Sequence, residues 1–419
     1  MATPTSSDSA LPTTLHPKAL FFAYTTVFLA TMGIGIITPV LPELIAPLIG
    51  QTKTLAFVAG ALNSAYAFCQ FLAAPGLGAL SDRLGRRPIL LICLIGSAIG
   101  YLLFGIGGAL WILFLGRIID GITGGNISTI FAYVADVTAP EERGLYFGRL
   151  GAAAGLGFIF GPVIGGFTAN LGYSAPLYIA AALTLANVLW GYFFMPESLV
   201  LARRSTAVKL AQLNPLVQLN KVIAVIDLRW LLLIMFLYFL PFAALQSNIA
   251  VFSKEVHGWA PQSISWLFLL IGLESVLVQG LFLKWILPKF GDVVVSIGGL
   301  SLLLTGYLLI ALSVIMHLPV FLPIGMAAFG FGDAFSTPAL NGLISRKAGP
   351  QNQGRVQGGN QSIQALAKVL GPLIGGQVYV LLGPAFLYLL GGMAIALAML
   401  IVQQQVRQVE SMADVLSQA

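Results

Sequence analysis

The sequence predicts an all-α integral membrane protein whose twelve transmembrane helices form two six-helix bundles related by pseudo-two-fold symmetry. Three observations carry that reading. The first is apolarity: 58% of the 419 residues are hydrophobic, 9% are charged, and mean hydropathy is +0.92, whereas soluble domains hold about 45 to 50% apolar residues. The second is the alternation of basic residues. Of 21 Lys and Arg, 17 fall in the even-numbered loops and the tails of a twelve-span assignment or within the adjoining six residues of a span, as the positive-inside rule requires when both termini are cytoplasmic. The third is repetition: residues 161–166 read GPVIGG and residues 371–376 read GPLIGG, each one helix before the end of its six-helix half. Such an internal repeat marks carriers built from two related bundles around a midplane site.

A span needs about 20 apolar residues at about 1.5 Å each. Runs bounded by Gly, Pro or charge predict spans at 19–42, 54–75, 88–109, 111–136, 144–169 and 174–195, and then at 229–252, 260–287, 292–314, 318–344, 355–381 and 384–404. The domain plan follows: a cytoplasmic tail over 1–18, a first bundle over 19–195, a cytoplasmic linker over 196–228, a second bundle over 229–404 and a cytoplasmic tail over 405–419. The linker carries Arg203, Arg204, Lys209, Asn214 and Lys221. Lys53 and Lys254 fall on the outer side, and Arg117 and Lys368 fall within spans. The first 17 residues are rich in Ser, Thr and Pro and lack a basic n-region and cleavage site, so no cleaved signal peptide is expected.

Composition excludes several classes of function. The net charge of +6 and pI near 9.3 are spread over loops without a basic domain, so no nucleic acid is expected as a partner. Cys69 and Cys93 lie in apolar runs and imply no disulfide framework. His16, His257 and His317 lack metal-ligand spacing, and there is neither a Walker loop nor a nucleophile elbow. The chain is therefore read as a non-enzyme with no cofactor and no metal that ATP does not drive, and it is expected to act as a monomer in the inner or plasma membrane.

The most polar feature between two apolar runs is GLGALSDRLGRRP at 76–88, where Asp82, Arg83, Arg86 and Arg87 crowd within six positions. Unpaired charges of this density cannot lie in hydrocarbon, so the stretch is expected as a short loop at the cytoplasmic face. Gly85 suits a tight turn with unusual dihedrals, and Pro88 suits the first position of the third helix. A degraded echo, LPKFGD at 287–292, lies where the repeat expects it, between spans eight and nine.

With these residues in view, the chain resembles the major facilitator superfamily and, within it, the twelve-span drug:proton antiporters. Gly78, Asp82, Arg83, Gly85, Arg86 and Arg87 match the loop pattern G-x-x-x-D-R-x-G-R-R, and Arg117 with Gly121 resembles the fourth-helix R-x-x-x-G signature. Gly155, Gly161, Pro162, Gly165 and Gly166, within GLGFIFGPVIGG, resemble the fifth-helix antiporter motif, and ITPVLPEL at 37–44 resembles the first-helix signature. MGIGIITPVLP at 32–42 and GRIIDGITGG at 116–125 are similar to the tetracycline-efflux carriers. Two departures stand out. Ala30 and Gly100 occupy positions where those carriers hold acids, so tetracycline is not the expected cargo. The resemblance implies that Asp82 lies near the start of helix eleven and an arginine near Asp136, which together read as a latch on the outward-facing state; a loop that sets topology without gating is the other reading. It further implies that helices 1, 2, 4, 5, 7, 8, 10 and 11 border a central cavity.

Charges inside spans are costly, about 2.5 to 3.5 kcal/mol each on insertion scales unless paired or hydrated. Asp120 stands three residues after Arg117 on one face of helix four, while Glu274, Asp333 and Lys368 fall near the middles of helices eight, ten and eleven. All five lie on the cavity-bordering helices. Asp120, Glu274 and Asp333 are the proton-coupling candidates, with Arg117 and Lys368 as charge partners. For Arg117 and Asp120 simple mutual neutralisation is the other reading, as is a static pair of Lys368 with an acid. Asn126, Tyr238, Gln246, Asn248, Gln279, Gln361 and Gln364 are substrate-cavity candidates, though interhelical hydrogen bonds account for such residues equally well. The expected activity is proton-coupled efflux of small lipophilic, drug-like molecules by alternating access. Proton-linked import of a metabolite is the alternative, and a non-transporting receptor a more remote one.

Overall fold

A computed structural model describes residues 17–50, 54–139, 142–201, 204–205 and 229–418, with no side-chain description for residues 17–18, 347–358 and 405–418. Lys53, Arg203, Lys209, Asn214 and Lys221 lie outside the described residues. Regular structure within them is helical throughout: α1 (Pro17–Ile37), α2 (Leu41–Ile45), α3 (Leu55–Leu84), α4 (Arg86–Ile106), α5 (Leu110–Gly124), α6 (Ile127–Val137), α7 (Arg143–Thr168), α8 (Ala175–Phe194), α9 (Arg229–His257), α10 (Pro261–Leu277), α11 (Leu283–Ile315), α12 (Phe321–Leu382) and α13 (Pro384–Gln418).

These elements make twelve passes, though not one helix each. Ten stretches among the described residues are long and apolar enough to cross a membrane. One of them, Pro261–Ile315, holds two passes: α10 runs through a π-helical stretch, Val278–Phe282, into α11, which breaks at Gly291 (φ 75°). The helix α12 doubles back likewise, because Asn360 donates to Asn341 Oδ1 at 2.7 Å, whereas a straight helix would separate residues nineteen apart by about 28 Å. Its first pass falls outside the ten, diluted by Asp333, Ser336, Thr337 and several Gly and Pro.

Three boundaries differ from the expected ones. Span one ends at Ile37 rather than 42, since Pro39 and Pro42 withhold two backbone donors and the chain turns into the short α2. Span four divides into α5 and α6 at Gly125 and Asn126, where a Cβ on Gly125 would stand 3.0 Å from Ala74 N. The polar stretch 76–88 is not a loop. The helix α3 continues to Leu84, Gly85 alone turns the chain at φ 109°, and α4 begins at Arg86, two residues before Pro88. Ion pairing of this stretch, described below, satisfies charges that an extended loop would have left to water.

Glycine sets the packing within each bundle. In the first, Gly157, Gly161 and Gly165 of α7 recur every four residues and press on the carbonyls of Phe28, Met32 and Ile36 of α1, which recur at the same period. A Cβ at Gly161 would come within 2.5 Å of Met32 O, so backbones approach as closely as small residues permit. In the second bundle Gly371 and Gly375 of α12 press on Leu240 O and Ala244 of α9 in the corresponding way. The next glycine in each repeat faces the opposite bundle: Gly166 meets Pro261 O and Ser265 at the start of α10, and Gly376 meets Ala56 O at the start of α3. Thus the repeat read in the sequence is a pseudo-two-fold at the level of single glycines.

Candidate functional site

The bundles touch along the end of the molecule that carries Glu43 and Lys254. There Lys254 Nζ lies 2.7 Å from Glu43 Oε2, Asn63 Nδ2 donates to Ser247 Oγ at 2.9 Å, and Ser64 Oγ donates to Val369 O at 2.6 Å. Ser265 Oγ donates to Pro162 O at 2.5 Å, and a Cβ on Gly60 would collide with Pro372 O. Every one of these contacts joins the two bundles. Further along α3, towards Gly85, the bundles part around a cavity of about 330 Å³ lined by residues that include Gln70, Phe71, Pro75, Gln361, Gln364 and Lys368. The molecule is sealed at one end and hollow towards the other.

A second, water-sized cavity of about 20 Å³ lies inside the first bundle. Asp120 reaches it from α5, beside Tyr66 and Gln70 of α3, Ser97 and Tyr101 of α4, and Asn126. Burial of Asp120 is nearly complete, at 3% exposure, and its Oδ2 has no hydrogen-bond partner. Ala30 lines the same cavity, and Tyr101 follows Gly100 into it. Asp120 therefore puts a carboxylate into a cavity that Ala30 lines and lies itself against Gly100, the two positions where the resemblance implied acids. Gly100 leaves the room, since a Cβ there would stand 2.7 Å from Asp120 Cβ.

Arg117 does not close an ion pair with Asp120 within 4 Å. Its Nη2 donates to Asn63 Oδ1 at 3.0 Å, and its guanidinium lies over the rings of Tyr66 and Phe104, 5.4 and 5.0 Å from their centroids. Ring faces attract a cation by their quadrupole. Asn63 in turn holds Ser247 of the other bundle, so Arg117 reaches the bundle interface through one side chain. Neither Asn63 nor Ser247 was a candidate from the sequence, because an isolated Asn and Ser in apolar runs carry no distinguishing spacing.

The acids of the second bundle have different surroundings. Glu274 on α10 is buried at 4% exposure, its Oε2 unpartnered, in a gap that exists because residue 330 is glycine. Asp333 on α12 accepts hydrogen bonds from Tyr238 Oη and from Thr337 Oγ1, the latter at 3.1 Å. Among the described residues no carboxylate lies within ion-pair distance of Lys368, so the static pairs weighed from the sequence do not form. Of the polar cavity candidates, Gln361 and Gln364 line the large cavity and Asn126 the small one. Tyr238 is committed to Asp333, Asn248 donates to Ala244 O of its own helix, Gln246 is half-buried, and Gln279 is exposed and donates to Ser275 Oγ.

The charged turn is a compact network on the first bundle. Arg86 Nη1 lies 2.5 Å from Asp82 Oδ1, and its Nε donates to Asp136 Oδ2 at 3.1 Å. Ser81 Oγ donates to Gly78 O and accepts from Arg86. Glu197 accepts from the backbone N–H groups of Arg86 and Arg87 at 2.8 and 3.2 Å, and Arg87 donates to Tyr192 O. Arg83 is exposed. Arg86 is thus the arginine expected near Asp136, while the side chains at the start of span eleven lie outside the described residues. Glu197 went unnoticed in the sequence, although a carboxylate just past the sixth span is well placed to cap the N-terminus of α4.

Comparison with known proteins agrees with this architecture. The model of the Major Facilitator Superfamily matches residues 23–372 and, again, 231–408. The chain belongs to that superfamily. It is 34% identical over 362 residues to the class C tetracycline resistance protein of Escherichia coli, covering 86% of this chain and 90% of that protein. It is 32% identical over 341 residues to the human major facilitator superfamily domain-containing protein 10, covering 77% and 73%. The crystal structure of the human organic anion transporter MFSD10 aligns with a TM-score of 0.68 at 28% identity over 92% of this chain and 99% of that one. The nucleoside transporter NupG aligns with a TM-score of 0.69 at 16% identity, a likeness of fold. The protein is therefore a multi-pass membrane secondary transporter for a small substrate, related to tetracycline-efflux antiporters, and not an enzyme.

Proposed function

We propose that the protein expels small organic molecules in exchange for protons by alternating access, with Asp120, Glu274 and Asp333 carrying the coupling. One observation carries the reading: the Asp120 side chain lies in a water-sized pocket with its Oδ2 unpartnered, and the side chain of Gln70 lines both that pocket and the larger cavity. A proton site and a solute site that share one wall have a physical route to antagonism, because a bound solute that moves Gln70 alters the space open to a protonated Asp120. A neutral carboxylic acid suits this buried site, and a carboxylate requires it to rehydrate.

The domain plan read from the sequence supports an orientation in which Gly85 and Gly291 face the cytoplasm and both termini are cytoplasmic. In that frame the molecule is inward-facing: the contacts around Glu43–Lys254 close the external side, and the cavity between α3 and α12 takes solute from within. In this cycle the network at 82–87 serves as the latch, and rocking of the bundles about the glycine seams exchanges one seal for the other.

The test is accumulation of fluorescent solutes spanning negative, neutral and positive charge in cells that express the protein, with and without an uncoupler. Efflux lowers accumulation of at least one solute, and the uncoupler abolishes the effect. Raised accumulation would establish import instead, and insensitivity to the uncoupler would remove the proton from the cycle.

A further inference from the structure

Among the described residues Lys368 is the charged residue of the large cavity and has no counter-ion. Every other described residue that lines the cavity is neutral, including Gln70, Phe71, Gln361 and Gln364, and no carboxylate lies within ion-pair distance of Lys368 among the described residues. The side chain is accessible within this cavity. An ammonium offers three donors and no acceptor, and a cation at membrane depth is retained where a pathway needs it. The amide hydrogens of Gln70 are already engaged, one by Gly124 O at 2.9 Å and one by Tyr66 Oη at 3.2 Å, which leaves its carbonyl oxygen as an acceptor. Gln361 and Gln364 keep their amide donors. The cavity thus presents a cation with flanking donors, an apolar wall at Phe71 and Pro75, and a single committed acceptor. At about 330 Å³ it lies at the small end of ligand-binding pockets.

We infer that this cavity is a binding site for organic anions, with Lys368 pairing with the carboxylate or sulfonate of a small apolar-bodied solute. The inference deepens the transport reading above by naming the class of its cargo, and it stands on the cavity rather than on the buried acids. The anionic group meets Lys368 and the amides of Gln361 and Gln364, and the apolar body lies against Phe71 and Pro75. A cation in the same place meets the ammonium at close range with no carboxylate to offset it. A neutral analogue keeps the apolar contacts alone. This selectivity needs no change in cavity shape, only the sign of one charge in the cavity wall.

Purified protein is titrated with three probes of matched shape: naphthalene-2-sulfonate, which stays anionic at all working pH values, 2-naphthamide, and trimethyl(2-naphthyl)ammonium. Calorimetry in detergent without any gradient reads binding alone. The sulfonate is expected to bind at least tenfold tighter than the amide and the ammonium not to saturate. Lys368→Gln should weaken the sulfonate at least tenfold and the amide less than twofold, and Lys368→Arg should restore most of the loss. Equal affinities for the three probes, or sulfonate binding unchanged in Lys368→Gln, overturns the site. If Lys368→Gln fails to elute as a single species, Lys368→Met and Gln361→Leu with Gln364→Leu carry the same test. Proteoliposome flux of the sulfonate under an imposed pH gradient then separates the two readings: binding without gradient-driven flux keeps the anion site and rejects proton coupling.

Discussion

In the first bundle Arg86 follows a positive-φ glycine, Gly85, and pairs with Asp136 at the end of α6; in the second, Asp292 follows a positive-φ glycine, Gly291, and lies 2.5 Å from Arg346. The turn is the same, the pairing of consecutive passes is the same, and the signs are reversed. The offset that aligns residue 161 with 371 also brings Asp136 onto Arg346 and Asp120 onto Gly330. At that last position the second bundle supplies its carboxylate from the neighbouring helix, because Glu274 fills the space that Gly330 leaves. What the repeat holds fixed is backbone geometry. A glycine in contact with a neighbouring carbonyl has no substitute, whereas a buried charge needs only an opposite charge or a cavity, from whichever helix reaches it.

That contrast can be broken in four ways. The largest effect is expected at the seams: Gly165→Leu and Gly375→Leu each force a side chain into a packed neighbouring helix, against Ile36 O and Ala244 respectively, at a cost of about 3 kcal/mol, and size-exclusion profiles should show loss of folded protein for both. A well-folded Gly165→Leu with a collapsed Gly375→Leu would deny that the seams are equivalent. Next come the acids. Asp120→Asn and Glu274→Gln should each reduce gradient-driven flux more than tenfold in proteoliposomes while leaving the folded yield intact, and full flux in either variant would strike that acid from the coupling scheme.

Charge reversal sharpens the comparison further. Arg86→Asp or Asp136→Arg alone leaves like charges together in a partly exposed site, at about 1 to 3 kcal/mol, less than for a fully buried pair; the double exchange, which copies the arrangement of the second bundle, should recover most of the thermal stability. No recovery would mean that Glu197 and Ser81, not the sign of the pair, dictate the arrangement. The smallest effect belongs to Glu43→Gln. The Glu43–Lys254 pair is partly exposed and contributes about 0.2 to 1 kcal/mol, so its loss should shift labelling of a cysteine introduced at Gln364 by only about two- to fivefold towards protection.

Much of the fold was legible because a membrane leaves the backbone few options. The twelve passes, the repeat and the turn at Gly85 follow from apolar length, basic asymmetry and glycine. The helical course of residues 76–84 was not, since Asp82 and the arginines look like a solvated loop until Asp136 and Glu197 are seen to meet them. Gly157 could have been read, standing four residues before Gly161 and eight before Gly165. In the candidate site the five intramembrane charges were visible and their partners were not: the spacing of Arg117 and Asp120 suggested a pair, yet Asn63 takes the guanidinium and a cavity takes the carboxylate. Likewise Tyr238 read as a cavity residue and serves Asp333.

By itself the sequence determined that this chain spans a membrane in two repeated halves, that the halves pack through glycine, and which charges lie at membrane depth. Hydrophobic length and steric contact act locally, so they can be read along the chain. Tertiary structure decided which of those charges are paired, which end of the molecule is sealed, and that Lys368 faces an uncharged cavity while Asp120 lies behind Gln70. Electrostatic partners come from helices far apart in sequence, and only their packing settles whether a buried charge is neutralised, hydrated or left free to bind.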